Sequence, residues 1–279
     1  RNQVGQLGDN TTKRRLLPVT VTGISNAIAV STGDRHNCAL LEDKSIKCWG
    51  RNLDGEIGDG TNENPRKIPA DVYGVSNAVA VDTGNRHSCA LLDNQSIVCW
   101  GRNDNGQLGD GTTNSSYFPV VVSGISNAIK IGLGSYHTCA VLDNKSVKCW
   151  GRNNYGQLGN GEATSAQDNT SIPATLVETQ DVKDVDAKGI STCAVLENKS
   201  VSCWGKNEYG QLGNGITGGS NSVPMIVSEI SNVPLVVCGG AGELDHFNDV
   251  LKISKDINLA LGTALHKDIL KIKDIKIFL

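Results

Sequence analysis

The chain states one unit four times, and a repeat of about fifty residues decides the architecture before any single residue is interpreted. Each unit holds Cys, nine residues, Cys-Trp-Gly, and then Arg/Lys-Asn-x-x-Gly-Gln-Leu-Gly or a close variant. The Cys pairs are Cys38/Cys48, Cys89/Cys99, Cys139/Cys149 and Cys193/Cys203. Trp49, Trp100, Trp150 and Trp204 are the chain's only tryptophans, spaced 51, 50 and 54 positions apart. Units of this size stack or ring together rather than share one irregular core. Function is therefore to be sought on a surface, not in a cleft.

Composition sharpens this. Hydrophobic residues make up 38% of the chain and aromatics only 4%, so the core is built from Val, Ile, Leu and Ala. With 32 Gly and many Asn/Asp turns, and no helical periodicity over the first 230 residues, the repeats read as short strands. The formal charge is −3. A duplex-binding surface needs clustered Lys and Arg; none stands out, and nucleic acid is not expected as a partner. No apolar run reaches membrane-spanning length. Arg1–Gly8 matches the segment that elsewhere follows Cys-Trp-Gly, so the sequence is expected to start inside a repeat, without whatever preceded it, an export signal included.

Within the unit 102–151, Asn105-Gly106 signals a turn, and strands are expected at Pro119–Val122, Ala128–Ile131, Tyr136–Leu142 and Val147–Trp150. Pro119 is placed at the first position of its strand, where a missing N–H does least harm. Four antiparallel strands per unit is the content of one propeller blade. The pattern Gly-x-x-His-x-Cys-Ala-Leu/Val-Leu, then Val/Ile-x-Cys-Trp-Gly-Arg-Asn-x-x-Gly-Gln-Leu-Gly, resembles the regulator of chromosome condensation repeat, in its bacterial Cys-containing form. The resemblance covers residues 1–232 and implies an all-β, β-propeller fold, seven-bladed in the family. Here four full repeats (1–50, 51–101, 102–151, 152–205) and part of a fifth are present, which predicts a partial propeller, an open arc of blades with exposed strand edges.

Cys139 and Cys149 flank the loop at Asp143–Ser146, and a turn centred on Asn144 sets them opposite each other, within disulfide range. Two states fit all four pairs: reduced, buried cysteines acting as small apolar filler, or hairpin disulfides. The constant spacing favours disulfides, which imply an oxidising, extracellular or cell-envelope location. The spacing is wrong for zinc knuckles, and no metal or other cofactor is expected.

His36, His87 and His137 occupy one slot, two before the first Cys, where the fourth repeat has Ser191. A ring of metal or proton sites is conceivable; a His hydrogen-bonded to the neighbouring blade is the better expectation. Repeats differ most over Thr61–Lys67, Thr112–Phe118, Glu162–Ile172 and Ile216–Val223, the third being longest and carrying Glu162 and Asp168. Variable loops on a constant scaffold suit partner recognition.

From Val233 the grammar changes. Val233–Cys238 is an apolar strand ending in Gly239-Gly240-Ala241-Gly242; a helix is expected over 244–254, a strand at Ile257–Thr263 and a helix over Ile269–Leu279. This βαβα tail, 233–279, resembles the last two βα units of the cyclase subunit of imidazole glycerol phosphate synthase, a TIM barrel. That resemblance assigns phosphate binding to Gly239, Gly240, Gly262 and Thr263. The family's catalytic aspartates lie on early strands absent here, so no catalytic residue is assigned. The chain thus reads as a chimera of propeller and TIM-barrel fragments, or as a natural two-domain protein whose tail docks on the propeller's open edge. The expected function is a non-enzymatic scaffold for an unknown protein partner. The alternatives are a catalytically incomplete, phosphate-binding remnant of a histidine-biosynthesis cyclase, and a secreted enzyme inhibitor or small-GTPase exchange factor of the propeller family.

Overall fold

A computed structural model describes residues 1–163, 169–176 and 181–228, and the strand pairs Leu235–Val236 and Asn258–Leu259. The first sheet joins β1 (Ala27–Thr32), β2 (His36–Leu41), β3 (Ile46–Gly50) and β4 (Arg66–Asp71). The second joins β5 (Ala78–Thr83), β6 (His87–Leu92), β7 (Ile97–Gly101) and β8 (Ser116–Val121). The third holds β9 (Ala128–Leu133), β10 (His137–Leu142), β11 (Val147–Gly151) and β12 (Thr170–Thr175). The fourth holds β13 (Val182–Lys188), β14 (Ser191–Leu196), β15 (Val201–Lys206) and β16 (Ser220–Ser228). All pairings within these sheets are antiparallel. The first strands of successive sheets pack against one another, so they lie innermost.

The unit boundary differs from the sequence reading. The segment around Pro119 does not open the sheet of residues 128–150; as β8 it closes the preceding one, pairing Val120 with Cys99. The reason is local: residues 102–115 form a tightly stapled loop that returns the chain to its own hairpin, and only the turn at 122–127 crosses to the next sheet. Pro119 is also fourth in its strand, not first, and Tyr136 lies in the turn before β10. A mid-strand proline is tolerated because β8 is an outer edge with a bulge opposite Cys99/Gly101. Pro69 and Pro173 sit likewise in β4 and β12, and Pro224 in β16. Edges expected to invite pairing are thereby blunted.

Each β2–β3 type hairpin turns on a left-handed non-glycine residue, Lys44, Gln95, Lys145 or Lys199, at φ 64–69°. The residue before it supplies a carboxylate or amide oxygen to the following serine: Asn144 Oδ1 accepts from Ser146 N–H (3.1 Å) and Oγ–H (2.7 Å). Such side-chain bonds replace a backbone turn. The turn sets the register Cys139↔Cys149 and its three equivalents. All four pairs are disulfides, Cys38–Cys48, Cys89–Cys99, Cys139–Cys149 and Cys193–Cys203, with Cα atoms 4.1 Å apart. Alkylation without reductant should leave the intact mass unchanged at all eight positions. Reduction should cost about 2–3 kcal/mol per bond on the loop-entropy model, read as a lower urea midpoint; eight labelled thiols in native material would refute it.

Of the four pairs read alike from the sequence, the fourth departs from the rest in its surroundings. Cys203 is 5% exposed and Cys193 half-buried, whereas the other six paired cysteines are fully buried. Cys203 packs with Val201 and Leu212, and Cys193, Val195 and Val227 lie beside them, all from its own repeat. Among the described residues no tryptophan of a following sheet closes over this bond.

Between sheets, one face of each carries its disulfide and aliphatic residues, the other its Trp. Cys38, Leu40, Ile46 and Cys48 pack on Ala90, Val98 and Trp100 of the second sheet, plugged by Ile57. The next two junctions repeat this with Leu108 against Trp150 and Leu158 against Trp204. Leu235–Val236 (β17) pairs in parallel with Asn258–Leu259 (β18). The helices expected over 244–254 and 269–279 lie outside the described residues. Among the described residues no helix is long and apolar enough to cross a membrane.

Candidate interaction surface

The Arg/Lys-Asn-x-x-Gly-Gln-Leu-Gly motif builds a rigid loop from its own side chains. Asn103 Oδ1 accepts from Leu108 N–H (2.9 Å), while its amide donates to the Thr112 carbonyl (3.1 Å). Gln107 Oε1 accepts from Asn105 N–H (2.9 Å), and Asp110 Oδ1 from Thr112 N–H (2.9 Å). The Asn bonds recur at Asn2, Asn52, Asn153 and Asn207, so the described residues hold five such loops. In the first of them Asp9 is held at about 2, chiefly by the Thr11 hydroxyl.

Each loop then fastens the next sheet. The main-chain carbonyls of Gln6, Glu56, Gln107 and Gln157 accept from the indole N–H of Trp49, Trp100, Trp150 and Trp204, at 2.9–3.0 Å. The Trp residues are therefore core packing with a satisfied polar handle. Gly109 (φ 72°) is required here, because a Cβ on it would stand 2.6 Å from the Trp150 indole nitrogen. The carbonyls of Glu56, Gln107 and Gln157 also accept from Ser88, Thr138 and Thr192, at 2.9–3.1 Å.

Those hydroxyls are where the three histidines end. His36 Nε2 lies 2.9 Å from Ser88 Oγ, His87 Nε2 2.9 Å from Thr138 Oγ1, and His137 Nε2 2.8 Å from Thr192 Oγ1. Because each hydroxyl donates to a carbonyl, it accepts from the imidazole, which fixes the Nε2–H tautomer. Burial lowers His36 to about 4, aided by the Arg51 charge, and lowers His87 and His137 to about 3. The slot is a neutral interblade latch. Ser191, in the fourth sheet, donates instead to the Lys206 carbonyl (2.8 Å). The hydroxyl partners were not singled out from sequence, although Ser88, Thr138 and Thr192 each follow the His slot of their own repeat, one repeat beyond the His they bind.

This bonding leaves one end of the molecule to the loops. The β1–β2 type turns and the long loops entering the outer strands lie together, joined by Arg51 N–H to the Arg35 carbonyl (2.9 Å) and Arg152 N–H to the Tyr136 carbonyl (2.9 Å). At their centre is a depression of about 300 Å³, ringed by equivalent turns at 32–34, 83–85, 133–135 and 188–189. Around it Arg152 stacks on Tyr136 at 5.4 Å and Lys206 on Tyr155 at 5.1 Å. In the second loop Glu stands where the others have Gln. Glu56 is fully buried with its pKa raised by burial, and Arg51 Nε lies 3.0 Å from its carboxylate.

Beyond the staples the loop sequences diverge at 62–65, 113–115, 163–169 and 217–219; the end of each variable stretch read from sequence already belongs to an outer strand, as Arg66 does in β4. Glu162 offers its main-chain carbonyl to Asn153, while Asp168 lies outside the described residues. So do Gly239, Gly240, Gly262 and Thr263, the phosphate-binding positions.

A family model described as the RCC1-like domain matches residues 1–243. The Arabidopsis thaliana protein "Ultraviolet-B receptor UVR8" is 33% identical over 113 residues, 39% of this chain and 26% of that protein. The Drosophila melanogaster "Regulator of chromosome condensation" is 33% identical over 112 residues, 38% of this chain and 20% of that one. Among solved structures, Prp20p of Saccharomyces cerevisiae, described with its binding to Gsp1p and histones, superposes with a TM-score of 0.67 at 20% identity. That match covers 76% of this chain and 53% of Prp20p. This chain therefore spans about half of that solved relative, and about a quarter or less of these two curated ones.

Proposed function

The chain belongs to the RCC1-like domain family, and from that membership we propose that it is a non-enzymatic scaffold that binds a protein through the loop end of its sheets. The observation that carries this reading is the contrast within each loop. Asn, Gln and Asp staples fix its first half in the same way from repeat to repeat, and the second half differs each time in length and chemistry. A constant frame with variable tips is the arrangement of a recognition surface.

Two finer readings place the partner differently: a small-GTPase exchange factor, or an exported binder that inhibits an enzyme. Four hairpin disulfides favour the exported binder, because such bonds persist in oxidising compartments. The test exchanges residues 62–63 and 113–114 for Gly/Ser segments of equal length, leaving Thr61, Asn64, Thr112 and Ser115, which hold the constant half of each loop, in place. Binding of a partner crosslinked to the intact protein should fall at least tenfold, about 1.4 kcal/mol, with an unchanged melting temperature. Undiminished binding by the exchanged protein would refute the loop surface.

A further inference from the structure

Six asparagines stand two places before a Ser or Thr with no Pro between: Asn10, Asn94, Asn114, Asn144, Asn169 and Asn198. In an exported chain, Asn-x-Ser/Thr is the acceptor sequence for an N-linked sugar. The sequence does not choose among the six; the fold does. Asn94 and Asn144 stand at hairpin tips of the second and third sheets, each flanked by described sheets on both sides. Around Asn94, Asp93 pairs with Lys44 of the first sheet (3.1 Å) and the Gln95 carbonyl takes the Ala128 N–H of the third (2.9 Å). Beside Asn144, Lys145 pairs with Glu197 of the fourth sheet (2.9 Å), and its carbonyl takes the Val182 N–H (3.0 Å). With these neighbours in place both asparagines remain exposed.

Each tip brings its two halves of the acceptor together. Asn94 Oδ1 accepts from Ser96 N–H (3.1 Å) and Oγ–H (2.6 Å), and Asn144 Oδ1 accepts from Ser146 in the same way. The turn itself asks only for an oxygen. In the first sheet Asp43 Oδ1 takes the equivalent bonds from Ser45, at 3.0 and 2.6 Å. Asparagine adds what the turn does not use, an amide Nδ2 with no hydrogen-bond partner among the described residues. The other two asparagines between these sheets are arranged differently. Asn169 accepts from Asn153 N–H (3.0 Å) and donates Nδ2 to Asn105 Oδ1 (3.3 Å), so its nitrogen is taken. At Asn114 the hydroxyl is turned away, Ser116 Oγ donating to the Phe118 carbonyl (2.7 Å).

We propose that Asn94 and Asn144 carry N-linked oligosaccharides, a proposal that rests on the exported reading above. The transfer forms a bond from Nδ2 to the anomeric carbon of a lipid-linked oligosaccharide. It breaks that carbon's bond to the lipid pyrophosphate, which leaves as the Nδ2 proton is released. The six-residue strands that run from the His slot to these tips, β6 and β10, span about 20 Å. The sugars therefore coat the hairpin end and leave the loop end open to a partner.

Intact mass of the whole chain, exported by a eukaryotic host, tests this before and after an amidase that removes the sugar and leaves aspartate at its site. One oligosaccharide is expected on each of Asn94 and Asn144. Asn94→Asp and Asn144→Asp should each remove one, with the melting temperature of the sugar-free protein unchanged, because the turn keeps its oxygen. Asp43→Asn writes Asn-Lys-Ser into the first hairpin and should add a third sugar, a gain that a purely structural turn does not produce. Alkylation in the same experiment judges the export reading separately. Bare Asn94 and Asn144 in protein whose eight hairpin cysteines are paired overturns the proposal and leaves the disulfide argument for export standing. Free thiols beside both sugars uphold the proposal and remove that argument. Sugar confined to Asn114 or Asn169 overturns it as well.

Discussion

Gly134→Ala is expected to cost about 1–3 kcal/mol of stability, the range of an overpacked core. A Cβ on Gly134 would lie 2.0 Å from Cε1 and 2.3 Å from Nδ1 of His137. The imidazole cannot swing away, because it is fully buried and bonded through Nε2 to Thr192. The chain itself indicates the remedy. In the fourth repeat the residue equivalent to Gly134 is Lys188, and the His slot holds Ser191; the side chain returns where the ring is missing. His137→Ser alone loses one hydrogen bond and leaves a cavity, at about 1–3 kcal/mol. Added to Gly134→Ala, it should recover most of the alanine's cost, giving a coupling of about 2 kcal/mol in a double-mutant cycle. Additive costs in urea unfolding would show that the ring and the glycine do not hold each other. Gly134 is better suited to this cycle than Gly84, whose added Cβ would also strike the Gly134 carbonyl at 2.4 Å.

That pairing shows what the sequence exposes and what it hides. The hairpin register was legible because it is local: ten residues from Cys to Cys, centred on a turn residue, allow one pairing of the flanking strands. The blade content was legible for the same reason. The looser setting of Cys193 and Cys203 was not, because burial of a hairpin face depends on the sheet that follows it, not on the hairpin's own spacing. The ownership of the outer strand was hidden too. β8 follows its hairpin across a fourteen-residue loop (102–115) whose return depends on the Asn103 staple, a contact between side chain and main chain that strand patterning does not register. The latch was half legible. His36, His87 and His137 stood out as a column, but their partners Ser88, Thr138 and Thr192 are one repeat away, and a single hydroxyl in a β-strand carries no signal until the repeats are stacked. The loop surface was legible only as variability; the depression among the inner turns comes from the way first strands converge, which no one repeat contains.

Acid should begin to destabilise these sheets above the usual carboxylate range, and the three buried histidines set the sign. In the unfolded chain each binds a proton near the ordinary value of 6.5, whereas in the fold it does so only near 4 (His36) or 3 (His87, His137). The unfolded state therefore holds more protons below pH 6.5. Stability is whole above that value and falls as pH drops through 6.5 toward 4. At pH 5 a group still neutral in the fold loses about 2 kcal/mol, so three together approach the 5–15 kcal/mol that holds a typical domain together. Glu56 and Asp186 work the other way: burial raises their pKa values, which favours the fold as each carboxyl takes up a proton, but they are two groups against three. Urea unfolding at pH 8, 7, 6 and 5 should show the free energy flat to pH 7 and then steeply falling, with an acid midpoint between about pH 4 and 5. His87→Gln keeps a donor for Thr138 and removes one titration, so it should flatten the slope by about a third while costing stability at pH 8. A free energy that stays level from pH 7 to pH 5 would mean that the latch admits a proton without opening. The neutral tautomer inferred from the hydroxyl-to-carbonyl relay would then be wrong. Because the fourth sheet has Ser191 in this slot, amides of β15 and β16 should lose exchange protection later in the titration than those of β6 and β10.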